Sequence, residues 1–366
     1  MISYKWLLPL YGKTVYKLKI SELKILEIAS VLAGPQVGSF FSELGATVTK
    51  VENKTTGGDV TRNWRLSSEK AEHSISAYYA SANYNKRVQF LDFKDAEDYE
   101  TLVGLIQESD ILISNFKAGD AQKFKLAYED CKKINPNIIY GEITGFGKDV
   151  KRTAFDVILQ AETGYISMTG TAESTLSKLP VAFIDLFAAH QLKEGILVAL
   201  LEGWKPVCVS VSLYDSAIAS LANQASNYLM ENHIPKPIGT QHPNIAPYGD
   251  IFITQDNKKV ILAVGSEKQF ASLMELLDGV PISKSFASNQ LRVENRSELN
   301  QFLTSKIENW ESSALFDACI EQNIPIGRVH NLKEVFEKPE SDSLILEEVQ
   351  EGKNTKKVKT AVFTFS

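Results

Sequence analysis

The sequence predicts a doubly wound α/β fold, a mostly parallel sheet with helices on both faces, followed by a smaller α+β domain. Three observations carry this expectation. Between about residues 22 and 215 short β-rich runs alternate with longer helical ones. The first run ends in a turn of small residues that opens a helix, and after Asp215 the alternation gives way to a turn-rich segment and a hairpin. Parallel strands need a crossover between them, usually a helix, so alternation is their signature. A chain of 366 residues also exceeds one small core, so a large domain with a smaller companion is expected.

Residues 1–13 hold the patch Trp6-Leu7-Leu8-Pro9-Leu10. It is too brief for a secretory signal and lacks the small-residue cleavage pattern, so it reads as a surface segment before the first strand. Residues 23–28 form that strand. The segment Ala33-Gly34-Pro35-Gln36-Val37-Gly38 then opens a helix over 35–44, with Pro35 in a first-turn position. Ligands of α/β sheets gather beyond the carboxyl ends of strands, where free N–H groups favour phosphate or carboxylate; a tight turn explains the same residues. The segment is not a G-x-G-x-x-G, so a nicotinamide site is not supported. Strands follow at 47–52 and 87–93, a helix at 95–108, a strand at 110–114, a helix at 128–134 and a strand at 137–143.

Asp185 stands where an apolar run, Leu179-Pro180-Val181-Ala182-Phe183-Ile184, meets an amphipathic helix. Leu186, Ala189, Leu192, Ile196 and Ala199 recur at helical spacing, and Gly203 is the expected left-handed terminator. This places Asp185 at the N-cap. Two roles fit it there, a cap whose oxygen accepts a first-turn N–H and a nucleophile kept ionised by the positive helix end. Beyond Asp215 a helical stretch reaches Met230. The turn-rich segment 235–249 reads as a hinge, 251–264 as a hairpin turning at Gln255-Asp256-Asn257, and helices continue to about Ile320. A strand pattern over 358–365 is expected to return to the first sheet.

Composition excludes several classes of function. Net charge is −6 with Lys and Arg dispersed, which is no nucleic-acid footprint. No segment approaches the roughly 20 consecutive apolar residues of a membrane span. Three distant cysteines, Cys131, Cys208 and Cys319, argue against a disulfide framework and for a reducing, cytoplasmic setting. His73, His190, His233, His242 and His330 show no paired ligand spacing, so no metal site is expected.

Seven patches, in order, carry a family likeness: Ala33-Gly34-Pro35 with Leu44-Gly45-Ala46 and Lys50-Val51-Glu52; Gly58-Asp59 with Arg62; Asn83-Tyr84-Asn85-Lys86-Arg87; Asn115-Phe116-Lys117-Ala118-Gly119; Asn135-Pro136; Ile143-Thr144-Gly145-Phe146-Gly147; and Gln160-Ala161 with Gly164. Together the chain resembles the family III CoA-transferases over roughly residues 22–340. The resemblance implies a Rossmann-like large domain over 1–225 with a return over 331–366, a small domain over 226–330, and a homodimer of interlocked rings. It implies that Asp185 is the catalytic nucleophile. Coenzyme A and acyl-CoA would enter as substrates, with a carboxylic acid as acceptor and with no tightly bound cofactor, ATP or metal. Ala33, Gly34, Pro35, Lys86, Arg87, Lys117, Gly145, Phe146 and Gly147 would contact CoA, with Lys86 and Arg87 at the adenosine-phosphate end, where a polyphosphate requires cations. Phe183, Ile184 and Phe187 would wall the nucleophile, and N–H groups near Gly145 or Gly164 would face the oxyanion.

The same family includes α-methylacyl-CoA racemases, whose second base is a histidine thirty positions before the aspartate. Phe155 stands there, in Ala154-Phe155-Asp156, and exchanges no proton, which favours transferase over racemase. His190, one turn into the Asp185 helix, is the nearest other imidazole in sequence. Leu32, Asn53 and Gly239-Thr240-Gln241-His242-Pro243 depart from formyl-CoA transferase and argue against formate and oxalate as substrates. With Ser366 ending the chain before the family's C-terminal helices, they also leave a non-catalytic acyl-CoA binder open.

Overall fold

The computed structural model describes residues 19–70, 72–278 and 280–365, so the segment expected at 1–13 lies outside the described residues. Two compact units divide the chain. The first comprises Met1–Asp156, Ala182–Ser220 and Leu344–Ser366, the second Val157–Val181 and Leu221–Ser343. The expected boundaries, 1–225 with 331–366 against 226–330, differ from these units in three ways, the smallest being that 221–225 falls in the second unit. Residues 157–181 belong to the second unit, where Gly170 O accepts the Gly239 N–H at 2.7 Å, and so does 331–343. A pairing between residues so far apart leaves no local periodicity to read.

The first unit is built on six parallel strands: β1 Lys24–Ile28, β2 Thr47–Asn53, β3 Arg87–Leu91, β4 Ile111–Ser114, β5 Ile139–Thr144 and β6 Val207–Ser212. Their order is β3-β2-β1-β4-β5-β6, with Ile25 opposite Val48 and Ile111, and Gly141 opposite Ile113 and Val209. Helices cover both faces, which is why β4 and most of β1 are buried without alternation. On one face Leu102 and Ile106 of Ala96–Glu108, capped by Asp95, join Cys131, Leu26, Leu112 and Tyr140 in one core. On another part of the sheet the helix Phe183–Glu202 approaches closely. A Cβ on Gly195 would stand 2.5 Å from Val209 Cγ1, and one on Gly141 3.0 Å from Ile196 Cδ1. These two glycines set how near helix and sheet come.

A buried chain of charges fastens the sheet to its surroundings. Glu27 of β1 accepts Lys50 Nζ at 2.9 Å and Lys86 Nζ at 2.7 Å, and Lys50 also pairs with Asp59 at 3.2 Å. Glu52 of β2 takes the Arg62 Nε at 2.7 Å, the Tyr79 hydroxyl at 2.5 Å and the Asp59 N–H at 2.9 Å. Arg62 continues to Glu351 at 3.0 Å. Gly38 is part of the same construction, because a Cβ there would collide with the Glu27 carboxylate.

Glu351 belongs to a separate antiparallel hairpin, β10 Ile345–Gln350 with β11 Lys353–Val358. The strand expected over 358–365 does not return to the large sheet. The N–H groups of Thr360 and Ala361, which a ladder would need, instead donate to Glu43 Oε2 at 2.7 and 2.9 Å. The second unit holds an antiparallel sheet of β7 Tyr248–Ile253, β8 Lys259–Ala263 and β9 Ile326–Arg328, so the expected hairpin is present. Its core joins Phe252, Val260 and Leu262 to Phe270, Leu273, Leu299, Leu303 and Leu315 of the helices behind.

The charge chain makes a direct prediction about stability. Lys86→Met leaves a fully buried carboxylate short of one ammonium, and breaking a buried pair from one side costs about 3–5 kcal/mol. Arg87→Ala, at an exposed neighbour, should stay within about 0.5 kcal/mol. Urea unfolding of the two variants measures this, and equal midpoints would refute it.

Candidate active site

In this sheet the strand order reverses direction between β1 and β4, and ligands of such folds bind in the crevice outside the carboxyl ends at that point. The two loops there are clamped together: Asn115 Oδ1 accepts the Ser30 N–H at 3.0 Å and its Nδ2 donates to Ser30 O at 2.8 Å. Val31 follows with φ of 71°, costly for a β-branched residue, and its N–H is held by both oxygens of Asp59 at 3.2 and 3.3 Å. Ala33, Gly34 and Pro35 form the first turn of the helix Ala33–Glu43 and are buried, while Lys117 is exposed on the β4 loop. A cavity of about 240 Å³ reaches from Lys117 past Ser114, Tyr140 and Thr144 to Lys148.

Asp185 also lies at the carboxyl edge, because its helix crosses over between the parallel strands β5 and β6. It is not the N-cap. The helix Phe183–Glu202 starts two residues earlier with Ala182 at the cap position, and no cap side chain bonds to it. Asp156 performs that task from outside, its Oδ2 accepting the N–H groups of Ile184 at 2.7 Å and Asp185 at 3.3 Å. The Asp185 carboxylate is therefore left without a hydrogen bond or ion pair among the described residues, although the residue is only 8% exposed. Gly203 closes the helix in the left-handed conformation, as expected.

Ionisation of Asp185 follows from that burial. Desolvation pushes its carboxyl up to about 7, and the charge of Asp156 adds to the rise. The positive helix end, expected to keep the carboxylate ionised, is outweighed by burial. A helix terminus is worth about 0.3–1 kcal/mol, whereas a rise of this size is roughly 4 kcal/mol, so burial wins. Tyr78 feels the same carboxylates. Burial first, then Asp185, Asp156 and Asp59, push its phenol up to about 12, and its ring packs edge-on against Trp64 at 5.1 Å. Phe183 and Phe187 stack at 6.1 Å on the Asp185 helix, and Ile184 is fully buried. Phe155 is 48% exposed. His190 is exposed too, its pKa lowered by burial and then by Lys193.

Among the other expected residues, Lys86 needs correction. Its ammonium is sealed inside, donating to Glu27, Pro35 O and Ala82 O at 2.7–2.8 Å and to Asn83 at 3.1 Å, so no donor is left for a phosphate. Burial, opposed by Glu27, pulls its pKa down to about 7. Arg87 opens β3 and so sits at the amino edge of the sheet, away from the crevice. Gly145 follows β5, with Ala154 so close that a Cβ would stand 2.5 Å from it, and Phe146 carries the Arg152 guanidinium 4.6 Å above its ring. Gly147 has φ of 105°, and nothing would meet a side chain there.

Three features escape sequence reasoning. Asp156 and Tyr78 are two, since only the folded chain brings them to Asp185. The third is a pair of adjoining cavities past the carboxyl end of β3, about 340 and 270 Å³, that share Phe93, Lys94, Lys123 and Phe124. Lysines and phenyl rings separated by thirty residues carry no local signal. Among the described residues no cluster of three or more His, Cys, Asp or Glu could hold a metal, and no helix is long and apolar enough to cross a membrane.

The chain matches known proteins over most of its length. A family model described as CoA-transferase family III covers residues 20–366. Succinate–glutarate CoA-transferase of Agrobacterium fabrum is 33% identical over 88% of this chain and 82% of its own. Human succinyl-CoA:glutarate CoA-transferase is 31% identical over 87% and 73%, and succinyl-CoA:mesaconate CoA-transferase of Haloarcula hispanica 29% over 87% and 82%. A crystal structure of a CAIB/BAIF family protein from Brucella suis superposes with a TM-score of 0.78 at 32% identity, covering 94% of this chain and 92% of that one. The likeness read from seven short patches thus extends to the whole described fold, and the chain belongs to CoA-transferase family III.

Proposed function

We propose that Asp185 carries the CoA transfer as a covalent nucleophile, taking CoA from a short dicarboxylic acyl-CoA and delivering it to a second dicarboxylic acid. The observation that carries the nucleophile is a buried carboxylate with no partner at the carboxyl edge of the sheet. The substrate class is supported by the relatives, whose names join succinate, glutarate and mesaconate.

In this mechanism an Asp185 oxygen attacks the thioester carbonyl, the C–S bond breaks, and CoA thiolate leaves a mixed anhydride on the enzyme. The thiolate then attacks the Asp185 carbonyl, the donor acid departs as carboxylate, and an aspartyl-CoA thioester remains. The acceptor carboxylate attacks that thioester and expels thiolate, which finally takes the acceptor's acyl group and returns Asp185 to its carboxylate. Each thioester is replaced by another acyl bond of similar energy, so ATP is not required. The flanking aromatic rings keep water from the anhydride.

CoA is best accommodated along the carboxyl edge, with the first turn at Ala33, Gly34 and Pro35 and the turn at Gly145, Phe146 and Gly147 as backbone surfaces. Lys117 and Lys148 offer cations on one side, and Lys94 and Lys123 beside Phe93 and Phe124 on the other suit a phosphorylated adenosine. Phe155, with no proton to exchange, favours this reading over a racemase. A homodimer in a reducing cytoplasm completes the proposal, consistent with three free cysteines.

Intact-protein mass spectrometry after mixing with succinyl-CoA should show an adduct that hydroxylamine removes, absent from Asp185→Ala. CoA binding without any adduct would refute the nucleophile and leave a racemase or a non-catalytic binder. Because the ionised form attacks, adduct formation should fall as pH drops through about 7. A rate flat between pH 5 and 9 would contradict this.

Stability runs the other way. A carboxyl raised from 3.8 to about 7 on folding contributes most below its unfolded pKa, and that contribution is lost as pH climbs from about 4 to 7. Asp185→Asn should therefore stabilise the protein by roughly 2–4 kcal/mol at pH 8 and by less than about 1 kcal/mol at pH 4. Denaturant melts at the two pH values test this, and an equal gain at both would show that the carboxyl is not raised.

A further inference from the structure

We propose that Asp156 is a positioning residue for Asp185: it caps the nucleophile's helix from outside, and so leaves the Asp185 carboxylate unpaired and aimed by a fixed first turn. This rests on the reading of Asp185 as the nucleophile. The geometry is specific. An N-cap side chain normally accepts the N–H groups of the second and third helical residues, and here those are Ile184 and Asp185, both bonded to Asp156 Oδ2. Ala182 at the cap position has no side chain able to do so. Asp156 is itself buried and is the first residue of the helix Asp156–Glu162, so its carboxylate is presented from an ordered element.

The consequence is a division of labour between two carboxylates. An aspartate that caps its own helix spends an oxygen on backbone N–H groups, is stabilised as the anion and is a weak base. Asp185 escapes this because Asp156 takes the backbone donors, and the adjacent negative charge raises the basicity of Asp185 further. Tyr78 feels both carboxylates and Asp59 as well, and the helix itself bears His190 and Lys193 one and two turns on. Burial and then Asp156 raise the Asp185 carboxyl, and the Asp185 side chain has no ion pair among the described residues to offset that effect.

Two substitutions separate charge from capping. Asn still accepts the two N–H groups but carries no charge, whereas Ala does neither. Adduct formation with succinyl-CoA is followed in single-turnover mixing from pH 5 to 9. In Asp156→Asn the acid limb should move to lower pH by about one unit and the alkaline plateau should fall, because a less basic carboxylate attacks more slowly. In Asp156→Ala the plateau should fall at least tenfold below that of the Asn variant, with the half-saturating succinyl-CoA concentration within twofold of wild type. Ser266→Ala, which removes the cap of Glu267–Leu276 in the other unit, controls for loss of a helix cap as such. An Asn profile that superimposes on wild type overturns the proposal, as does an Ala variant no slower than the Ser266 control. If wild type itself forms no adduct, the failure lies with the nucleophile assignment instead.

Discussion

The buried charge chain is the constraint on which the rest of the first unit depends. Glu27, Lys50, Asp59 and Lys86 are removed from water, and a lone ion there would cost several kcal/mol, so each must find its partner. Meeting that requirement fixes more than four side chains. Lys86 ties the entrance of β3 to the first helix through Pro35 O, Asp59 holds Val31 in its left-handed conformation, and Arg62 reaches the C-terminal hairpin at Glu351. The crevice at β1 and β4 therefore inherits its shape from ions that never touch solvent. Gly38 belongs to the same logic, because space for the Glu27 carboxylate exists only where the facing helix has no Cβ.

That network is balanced, and the Asp185 site is not. Every carboxylate in the chain of charges has a cation within reach, yet Asp185 has no ion pair among the described residues and feels the charge of Asp156. Folding pays for this in stability above pH 7, and buried groups with strongly shifted pKa values cluster at functional sites. The contrast within one unit is between compensated ions below and an uncompensated carboxylate at the edge, and it is what supports the reading of Asp185 as the reactive group.

Much of the first unit was legible before folding, for physical reasons. Strand β4 is a continuous apolar run, β1, β2 and β5 are short runs rich in β-branched or apolar residues between helical segments, and the helix 95–108 begins at Asp95, an ordinary cap. Asp185 stood out by its place between an apolar run and a helix. The roles of Lys86 and of the cap were not legible. A lysine before a strand reads as a solvated or phosphate-binding cation, and nothing local reveals that Glu27, fifty-nine positions away, waits for it inside. An aspartate at the start of a helix reads as its cap unless one knows that Asp156 already occupies the donors. Both misreadings arise where a long-range polar contact overrides a local preference. The C-terminal strand pattern failed likewise, since Glu43 competes for the backbone N–H groups that pairing needs.

The three-residue shift of Asp185 into its helix bears directly on chemistry. In the proposed mechanism a carboxylate, a poor nucleophile, expels a thiolate that returns readily, so the aspartate would need to be as basic as an anion at neutral pH permits. Capping lowers basicity and fixes the oxygens on backbone donors. Burial raises it, but a fully sealed carboxyl would stay protonated and out of reach. Asp185 lies between these limits, its carboxyl near 7 and the residue not wholly enclosed, so near neutrality about half the molecules carry the anion while its solvation is thin. In the proposed mechanism the same thin solvation would protect the anhydride, whose hydrolysis would forfeit the acyl energy that the transfer conserves. One placement, third in the helix rather than before it, meets both demands.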